Sequence, residues 1–448
     1  MNNTIFALAT AAGRAAVAVV RISGPEAGSA LATLLGSLPK SRMAALRRLR
    51  HPVSRETLDQ ALVLWMPGPG SFTGEDVVEL QLHGGRAVAA AVTEALAELG
   101  LRPAEPGEFT RRAFEHGRLD LTEAEAIADL VDAESEAQRR QALSQLDGGL
   151  ARLSDSWRAD LITALASLEA AIDFPDEEVP DAVAERAAAP IRRVLESVSV
   201  AANDLRGEKV RVGYRVALIG APNAGKSSLL NRLVRREAAI VTEVAGTTRD
   251  VIEQPIDLAG YRVLLADTAG VRETTERIEA EGVRRAKAWA ESSDLRLWVV
   301  DGSASEGAWR EALDLVRQGD LLVLSKSDLE PGADTAEAED AADAEELEPV
   351  LASATTDEGT AELRSALERR VVRDLAGAGP ITATRLRHRR LLNDAAVHLE
   401  RALGVGAIDP ELMADDVRLA ARSLEALVGK VDSEAVLGEV FASFCIGK

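Results

Sequence analysis

Four short runs near the start of the chain, Ile5–Leu8, Ala15–Ile22, Ala61–Trp65 and Val77–Leu82, are apolar or alternate with a period of two, which predicts strands. Pro25–Leu35 and Ala87–Leu99 instead repeat Ala and Leu at helical spacing. The period changes at Asp120. From Leu121 to about Leu205 the pattern is almost purely helical, with a break at Phe174-Pro175. It changes again at Arg215, after which Val216–Ile219, Val251–Leu258, Val263–Ala266, Leu297–Val300, Leu321–Leu324 and Val350–Ser353 read as strands, most separated by helical segments. That is the pattern of a doubly wound α/β domain. Beyond Asp374 three more helices are predicted, over Arg389–Leu403, Glu411–Leu427 and Ser433–Phe444. Their apolar stripes cannot be buried alone, so they are expected to pack on the helices of 121–205, with the α/β segment inserted between the two halves. The fold class is therefore α/β and multidomain, divided as 1–118, 119–212, 213–375 and 376–448. Asp334–Glu348 carries eight acids and no base, and is expected to be a solvated insertion loop.

Composition narrows the function. A chain of 448 residues is longer than one core usually serves. Lys plus Arg number 52 against 73 Asp plus Glu, a formal charge of −21, so the chain is no general polyanion binder and any nucleic-acid contact must be local. Aromatic residues are only 3%, too few for common base-stacking platforms. The single cysteine, Cys445, permits neither an internal disulfide nor a Cys-based zinc cage. No apolar run is long enough to span a membrane, and the start lacks a signal-peptide pattern, so a cytoplasmic protein with no membrane partner is expected.

Gly220–Ser227 fits G-x-x-x-x-G-K-[ST] and joins an apolar strand to a helix. In that context backbone N–H groups wrap phosphate, Lys226 reaches the β- and γ-phosphates, and the Ser227 hydroxyl ligates Mg²⁺. Asn223, Ala224, Gly225, Lys226, Ser227 and Ser228 are the phosphate-side candidates. Asp267, Thr268, Ala269 and Gly270 form a D-x-x-G at the end of a strand, placing Asp267 on the Mg²⁺ side and Gly270 beside the γ-phosphate. Ser325, Lys326, Ser327 and Asp328 resemble the N-K-x-D guanine reader of GTPases. The acid accepts from the guanine amino and ring N–H groups, a donor pair that adenine lacks. Ser in place of Asn leaves a shorter hydrogen-bonding arm. Ser353, Ala354 and Thr355 follow the last strand, where a remaining base-contact loop belongs. Between phosphate loop and D-x-x-G, the run Thr242, Glu243, Val244, Ala245, Gly246, Thr247 and Thr248 occupies the switch I position, with Thr248 as second Mg²⁺ ligand. Val271 stands where Ras-type GTPases carry a water-orienting Gln, so the polarising charge must come from elsewhere.

Residues outside those motifs carry a resemblance to one family, the tRNA modification GTPases called MnmE or TrmE. They are Gly13–Gly24, Glu75–Gly85, Pro106–Phe114, Gly117–Ala126, Asp173–Pro175, Ala239–Asp250 and the terminal Phe444–Lys448, in order along nearly the whole chain. The resemblance implies an N-terminal α/β folate-binding-like domain that dimerises the protein, a discontinuous helical domain and an inserted Ras-like P-loop G domain. It implies K⁺-activated GTP hydrolysis driven by association of two G domains. With the flavoprotein partner MnmG (GidA), as a heterotetramer, the family adds an aminomethyl-type group at carbon 5 of the wobble uridine of tRNA, a tetrahydrofolate derivative supplying one carbon. Carried over residue by residue, Asn223, Thr242, Val244 and Thr247 hold K⁺, Glu279 places the attacking water, and Arg21, Glu79, Arg118 and Lys448 contact folate. Arg118 stands where a Lys is usual. Cys445 becomes a functional thiol near the folate.

Alternatives stand beside these. Asn223 after Pro222 could simply form a turn, Glu279 could complement a helix dipole, and Arg249 reads as a surface ion-pair partner rather than an arginine finger. His83 and His116 have no carboxylate partner identifiable by spacing, and His83 reads as a turn or packing residue. The rival function is a ribosome-assembly GTPase. Such proteins usually carry a basic RNA-binding module, and none stands out here.

Overall fold

The computed structural model describes residues 4–11, 13–173, 180–237, 253–267, 284, 287–356, 358–377, 383–405, 409–430, 434–442 and 444–447. In chain order the first elements are β1 (Ile5–Leu8), β2 (Val17–Ser23), α1 (Ala27–Leu35), β3 (Ala45–Arg50), β4 (Thr57–Met66), β5 (Val77–His83), α2 (Arg86–Glu98), β6 (Arg102–Pro103), α3 (Glu108–Glu115) and α4 (Leu121–Val131). Four helices follow, α5 (Glu136–Leu146), α6 (Gly149–Asp173), α7 (Pro180–Asn203) and α8 (Arg206–Val212). Next come β7 (Tyr214–Ile219), α9 (Lys226–Glu237), β8 (Glu253–Leu258), β9 (Tyr261–Asp267), β10 (Leu295–Asp301), a 3₁₀ helix (Ala308–Leu315), β11 (Leu321–Ser325), α10 (Ala333–Ala344), β12 (Glu348–Ala352) and α11 (Thr360–Leu375). The chain ends in α12 (Leu386–Val405), α13 (Pro410–Leu427) and α14 (Glu434–Ala442). The break foreseen at Phe174-Pro175 lies outside the described residues.

Two compact units result, one of Met1–Ala128, Gln145–Val198 and Leu391–Lys448, the other of Asp129–Ser144 and Ser199–Arg390. In the first, the strand order is β3-β4-β5-β2-β1-β6, antiparallel except for the β1–β6 pair. Strand alternation sends Val20, Ile22, Leu80 and Leu82 to one face, where they bury against Leu31 and Leu34 of α1 and Val92 and Leu96 of α2. Gly28 lets α1 approach closely, since a Cβ there would lie 2.8 Å from the Trp65 ring. The same unit packs α13 along α6, as the apolar stripes predict, with Leu161, Ala164, Leu168, Met413, Val417 and Leu424 buried. The Asp409 carboxylate caps α13 by accepting from the Leu412 N–H at 3.0 Å, and Pro410 opens its first turn.

In the second unit the order is β12-β11-β10-β7-β9-β8, parallel except for β8–β9. The central strands are buried on both faces. Leu218, Leu297 and Val323 face Leu229, Leu363 and Leu367, whereas Trp298, Val300 and Leu322 face Ala338 and Ala342. A parallel sheet covered on both sides is what continuous apolar strands require.

Some expectations need correction. Asp334–Glu348 is not a loop: most of it is α10, whose Ala338 and Ala342 are buried on the sheet while its acids other than Asp334 face water. The acids masked an alanine stripe at helical spacing. Asp334 is itself buried, its carboxylate accepting from the Gly307 N–H at 3.0 and 3.1 Å. Two further elements carry little apolar periodicity and were not foreseen. The edge strand β3 has Leu49 as its one fully buried residue, and α3 buries Phe109 and Ala113 alongside the charged Arg112. Among the described residues no helix is long and apolar enough to cross a membrane, and no group of three or more His, Cys, Asp or Glu could hold a metal ion.

Candidate functional site

In the second unit every described nucleotide motif lies at or just past the C-terminal end of a sheet strand, where open α/β sheets bind ligands. β7 leads into Gly220, whose φ of +145° and proximity to β10 both demand glycine: a Cβ would lie 2.1 Å from the Val299 carbonyl oxygen. Asn223 (φ +61°) and Gly225 (φ +93°) turn the loop back so that α9 starts at Lys226. Asn tolerates that left-handed conformation, so the turn-forming reading of Asn223 has a geometric basis. Its side chain is exposed, so a ligand role for it is equally open.

Lys226 is buried, and its Nζ donates to the carbonyls of Gly220 and Ala221, each at 2.7 Å. Burial pushes its pKa below the usual lysine value, with the Asp267 charge partly opposing the shift. A bound polyanion would favour the charged ammonium that burial disfavours. The Ser227 hydroxyl donates to the Asp267 carboxylate. Register pairing of Leu218 with Asp267 sets β9 so that this acid meets the start of α9. A hydroxyl and a carboxylate held together beside a phosphate loop are a donor set suited to Mg²⁺.

Ser325 ends β11 fully buried, and its hydroxyl lies 2.5 Å from the Ala224 carbonyl and 3.0 Å from that of Val300. It ties the guanine-motif strand to the phosphate loop, and Gly225 lies beside it, where a Cβ would be in ordinary contact, 3.4 Å from Ser325 Oγ. Lys326 adopts φ +56° and pairs with Asp301 at 2.5 Å. Burial raises the Asp301 pKa, but the Lys326 and Ser303 hydrogen bonds outweigh it and hold the carboxyl below its usual range. The Ser327 N–H donates to the Ala352 carbonyl at 3.4 Å, and Asp328 stands exposed at the turn. Ser325 is register-paired with Ala352, so the next residue, Ser353, lies beside the guanine motif. The Ser353 hydroxyl accepts from the Thr355 and Thr356 N–H groups, both at 3.1 Å, which shapes that loop. Thr242, Glu243, Val244, Ala245, Gly246, Thr247, Thr248 and Arg249 lie outside the described residues, as do Thr268, Ala269, Gly270, Val271 and Glu279.

The folate candidates fall in the first unit. Arg21 and Glu79 lie directly opposite each other on β2 and β5. The guanidinium donates to Glu79 Oε1 at 2.9 and 3.0 Å, on the sheet face turned away from α1 and α2. The Phe72 and Phe109 rings lie 5.7 and 5.8 Å from the Arg21 guanidinium carbon. Arg118 is exposed and lies against Gly74, where a Cβ would stand 3.5 Å from its Cγ. The loop before β5 is held by a buried network that the sequence did not disclose. The Arg112 side chain donates to Glu75 and to Glu108, each at 2.9 Å, while the Ser23 hydroxyl donates to Glu75 at 2.8 Å. Burial raises the Glu108 pKa, but Arg102, the Glu105 N–H and Arg112 together hold the carboxyl below its usual range. The one available signal was Glu108 four residues before Arg112 on a helix.

Cys445 is exposed, and its carbonyl accepts from the Gly107 N–H at 3.4 Å while Ile446 bridges Pro106. Gly447 packs on the end of β1, where a Cβ would lie 2.7 Å from the Leu8 carbonyl oxygen. The tail is thus seated against the N-terminal sheet, and Lys448 lies outside the described residues. His83, read as lacking a carboxylate partner, has one: its Nδ1 lies 2.7 Å from Asp59, on the neighbouring strand rather than near in sequence. His116 Nδ1 lies 2.7 Å from the Thr73 carbonyl, so that nitrogen carries the proton.

Family comparisons agree over almost the whole chain. Residues 4–118 match the GTP-binding protein TrmE N-terminus and residues 121–445 the MnmE helical domain. The tRNA modification GTPases MnmE of Phenylobacterium zucineum and Caulobacter vibrioides are each 56% identical to the chain, over all of both proteins. That of Rhodospirillum rubrum is 51% identical over all of this chain and 99% of its own. With phosphate loop, Ser227–Asp267 pair and guanine-motif strand assembled at one end of an inserted sheet, the chain belongs to the MnmE (TrmE) family of tRNA modification GTPases.

Proposed function

We propose that this chain is a K⁺-activated GTPase of the cytoplasm that works as a homodimer with a flavoprotein partner. The pair would install an aminomethyl-type group, such as carboxymethylaminomethyl, at carbon 5 of the tRNA wobble uridine. In this reading the N-terminal domain (1–118) takes the tetrahydrofolate derivative, the G domain (213–375) takes GTP, and segments 119–212 and 376–448 form the helical domain. The observation that carries it is the assembly of Lys226, Ser227, Asp267 and Ser325 around one phosphate loop, in a chain that matches this family from end to end.

Each residue has a task. Lys226 would hold the β- and γ-phosphates, Ser227 and Thr248 would ligate Mg²⁺, and Asp267 would supply a carboxylate on the Mg²⁺ side. Asp328 reads guanine. Asn223, with Thr242, Val244 and Thr247, holds a K⁺ whose charge substitutes for an arginine finger, a contribution of roughly 10³–10⁵ in rate. Glu279 orients the attacking water that Val271 cannot. In the first unit, Arg21, Glu79, Arg118 and Lys448 bind the folate, whose chemistry when bound is to supply one carbon. Cys445, in the tail seated against residues 106 and 107, is available as a thiol. The test is mass spectrometry of tRNA wobble uridines from a strain lacking the protein. Loss of the modified nucleoside, restored by the intact gene, is the expected result. Normal wobble uridines accompanied by ribosomal-particle defects would assign the chain to ribosome assembly instead.

A further inference from the structure

Although acids outnumber bases 73 to 52 in the whole chain, residues 27–55 contain no acid at all. They contain Lys40, Arg42, Arg47, Arg48, Arg50 and Arg55, all six exposed, on and around β3. β3 is the edge strand of its sheet. Its pleat places Arg48 and Arg50 on the face opposite the buried Leu49, and Arg47 is exposed on the same side as Leu49. Among the described residues none of the six makes an ion pair; their side-chain hydrogen bonds, where present, go to backbone carbonyls such as Leu46, Arg55, Thr33 and Pro67. Arg111, Arg112, Arg158 and Arg193, elsewhere in the unit, each pair with a carboxylate. The neighbouring strand offers no relief. Its one acid, Asp59, has a side chain only 8% exposed and is already bound to both the backbone N–H and the ring of His83.

An uncompensated row of cations in so acidic a chain concentrates positive potential at one sheet edge. We infer that this edge docks the phosphate backbone of the tRNA substrate. The inference rests on the proposed function for the identity of its partner, and adds where on the chain that partner is held. A local stripe reconciles tRNA binding with a net charge of −21, because counterion release depends on the cations under the phosphates and not on the sum over the molecule. Pairing this edge with itself in a dimer would bring like-charged rows together, which is unfavourable.

The experiment measures binding of fluorescently labelled, unfractionated bacterial tRNA to the full-length chain by anisotropy, across a salt series. Arg47→Gln, Arg48→Gln and Arg50→Gln are combined in one variant, and the three Lys substitutions in a second. All positions are exposed, so native folding is expected and is checked by circular dichroism. The Gln variant should bind at least ~10-fold more weakly near 0.1 M salt, with a salt slope shallower by about 2–3. The Lys variant, which keeps the charges, should bind almost as the native chain does. Unchanged affinity and slope in the Gln variant would overturn the inference, as would equal loss in both variants or no tRNA binding by the native chain. Intact tRNA binding with lost binding of the flavoprotein, or a change from dimer to monomer, would make the edge a protein interface and overturn it too. The deletion-strain assay reads the function independently. Modified wobble uridines that depend on the protein, with tRNA affinity unaffected in the Gln variant, would remove only this surface.

Discussion

The two sheets of this protein hold their polar groups in opposite places. In the second unit, parallel strands are covered on both faces, so Val299, Leu322 and their neighbours fill the middle of the sheet, and a buried charge there such as Arg296 is paired, with Asp320. Chemistry gathers at the C-terminal strand ends, at Gly220, Asp267, Asp301 and Ser325. In the first unit, α1 and α2 cover one face of a largely antiparallel sheet, and charged residues sit within strands on the other face, as Arg21 does opposite Glu79. Connectivity is the cause. A parallel strand hands its chain to a loop and then a helix, so a ligand-binding segment is short and contiguous. An antiparallel sheet assembles a surface from register partners far apart in sequence.

The contrast predicts that a loop site fails through single residues. Asp328→Asn should lower GTP affinity by at least ~10³, about 4 kcal/mol, because an amide in place of the acid would set a donor against the guanine N–H groups that Asp328 accepts from. The same variant should gain xanthosine triphosphate binding, and reduced-folate binding should stay intact. Isothermal titration with the three ligands decides it; unchanged GTP affinity would remove Asp328 as base reader.

Backbone crowding provides a second break point. Gly220→Ala places a methyl group 2.1 Å from a carbonyl oxygen of β10 while forcing φ +145°, and should cost about 3 kcal/mol. Gly28→Ala in the first unit meets a side chain, the Trp65 ring at 2.8 Å, which can shift, and should cost only about 1 kcal/mol. Amide exchange of β7 and β10 against β2 and β4 in the two variants measures both.

The same difference explains what was legible in the sequence. The phosphate loop, Asp267 and the Ser325–Asp328 turn could be read because the chemistry follows the chain. The Asp59–His83 pair and the Arg112–Glu75 contact could not, since their partners meet only through β-register and α3 packing. α10 was hidden for another reason: its burial uses Ala338 and Ala342, which a reading dominated by eight acids discounts. Ser325 was recognised by position, but its bond to Ala224 is a tertiary fact that no spacing announces.

A smaller effect separates the cation from the turn at Asn223. GTP hydrolysis at matched ionic strength should be at least ~10-fold faster in KCl than in NaCl, about 1.4 kcal/mol of barrier. Asn223→Ala should erase the preference with little change in nucleotide affinity. Equal rates in the two salts would reduce Asn223 to a turn residue with φ +61° and return Arg249 to consideration as the charge donor.

The smallest effect contrasts a buried carboxyl with a half-buried one. Asp320 in the second unit is pushed up by burial, which its bonds to Arg296 and the Arg317 N–H only partly offset. Glu108 in the first is held below the usual range, because Arg102, the Glu105 N–H and Arg112 overcome the cost of burial. The signs of their pH effects therefore differ. A lowered folded-state pKa contributes stability that is present above the unfolded value, near 4.3 for Glu, and is lost as pH falls through the folded value. A raised one contributes stability at low pH that is lost as pH rises through the folded value, so acidification favours the folded form at Asp320. Lowering the pH from 6 toward 4 and below should thus loosen residues 102–115 before it loosens β10 and β11. Glu108→Gln should cost about 1 kcal/mol at pH 6 and remove most of this local acid sensitivity. Amide exchange, corrected for its intrinsic pH dependence, follows both segments in one sample. Simultaneous loosening of the two, unaltered by Glu108→Gln, would show that the Glu108 contacts do not set the acid response of the N-terminal sheet.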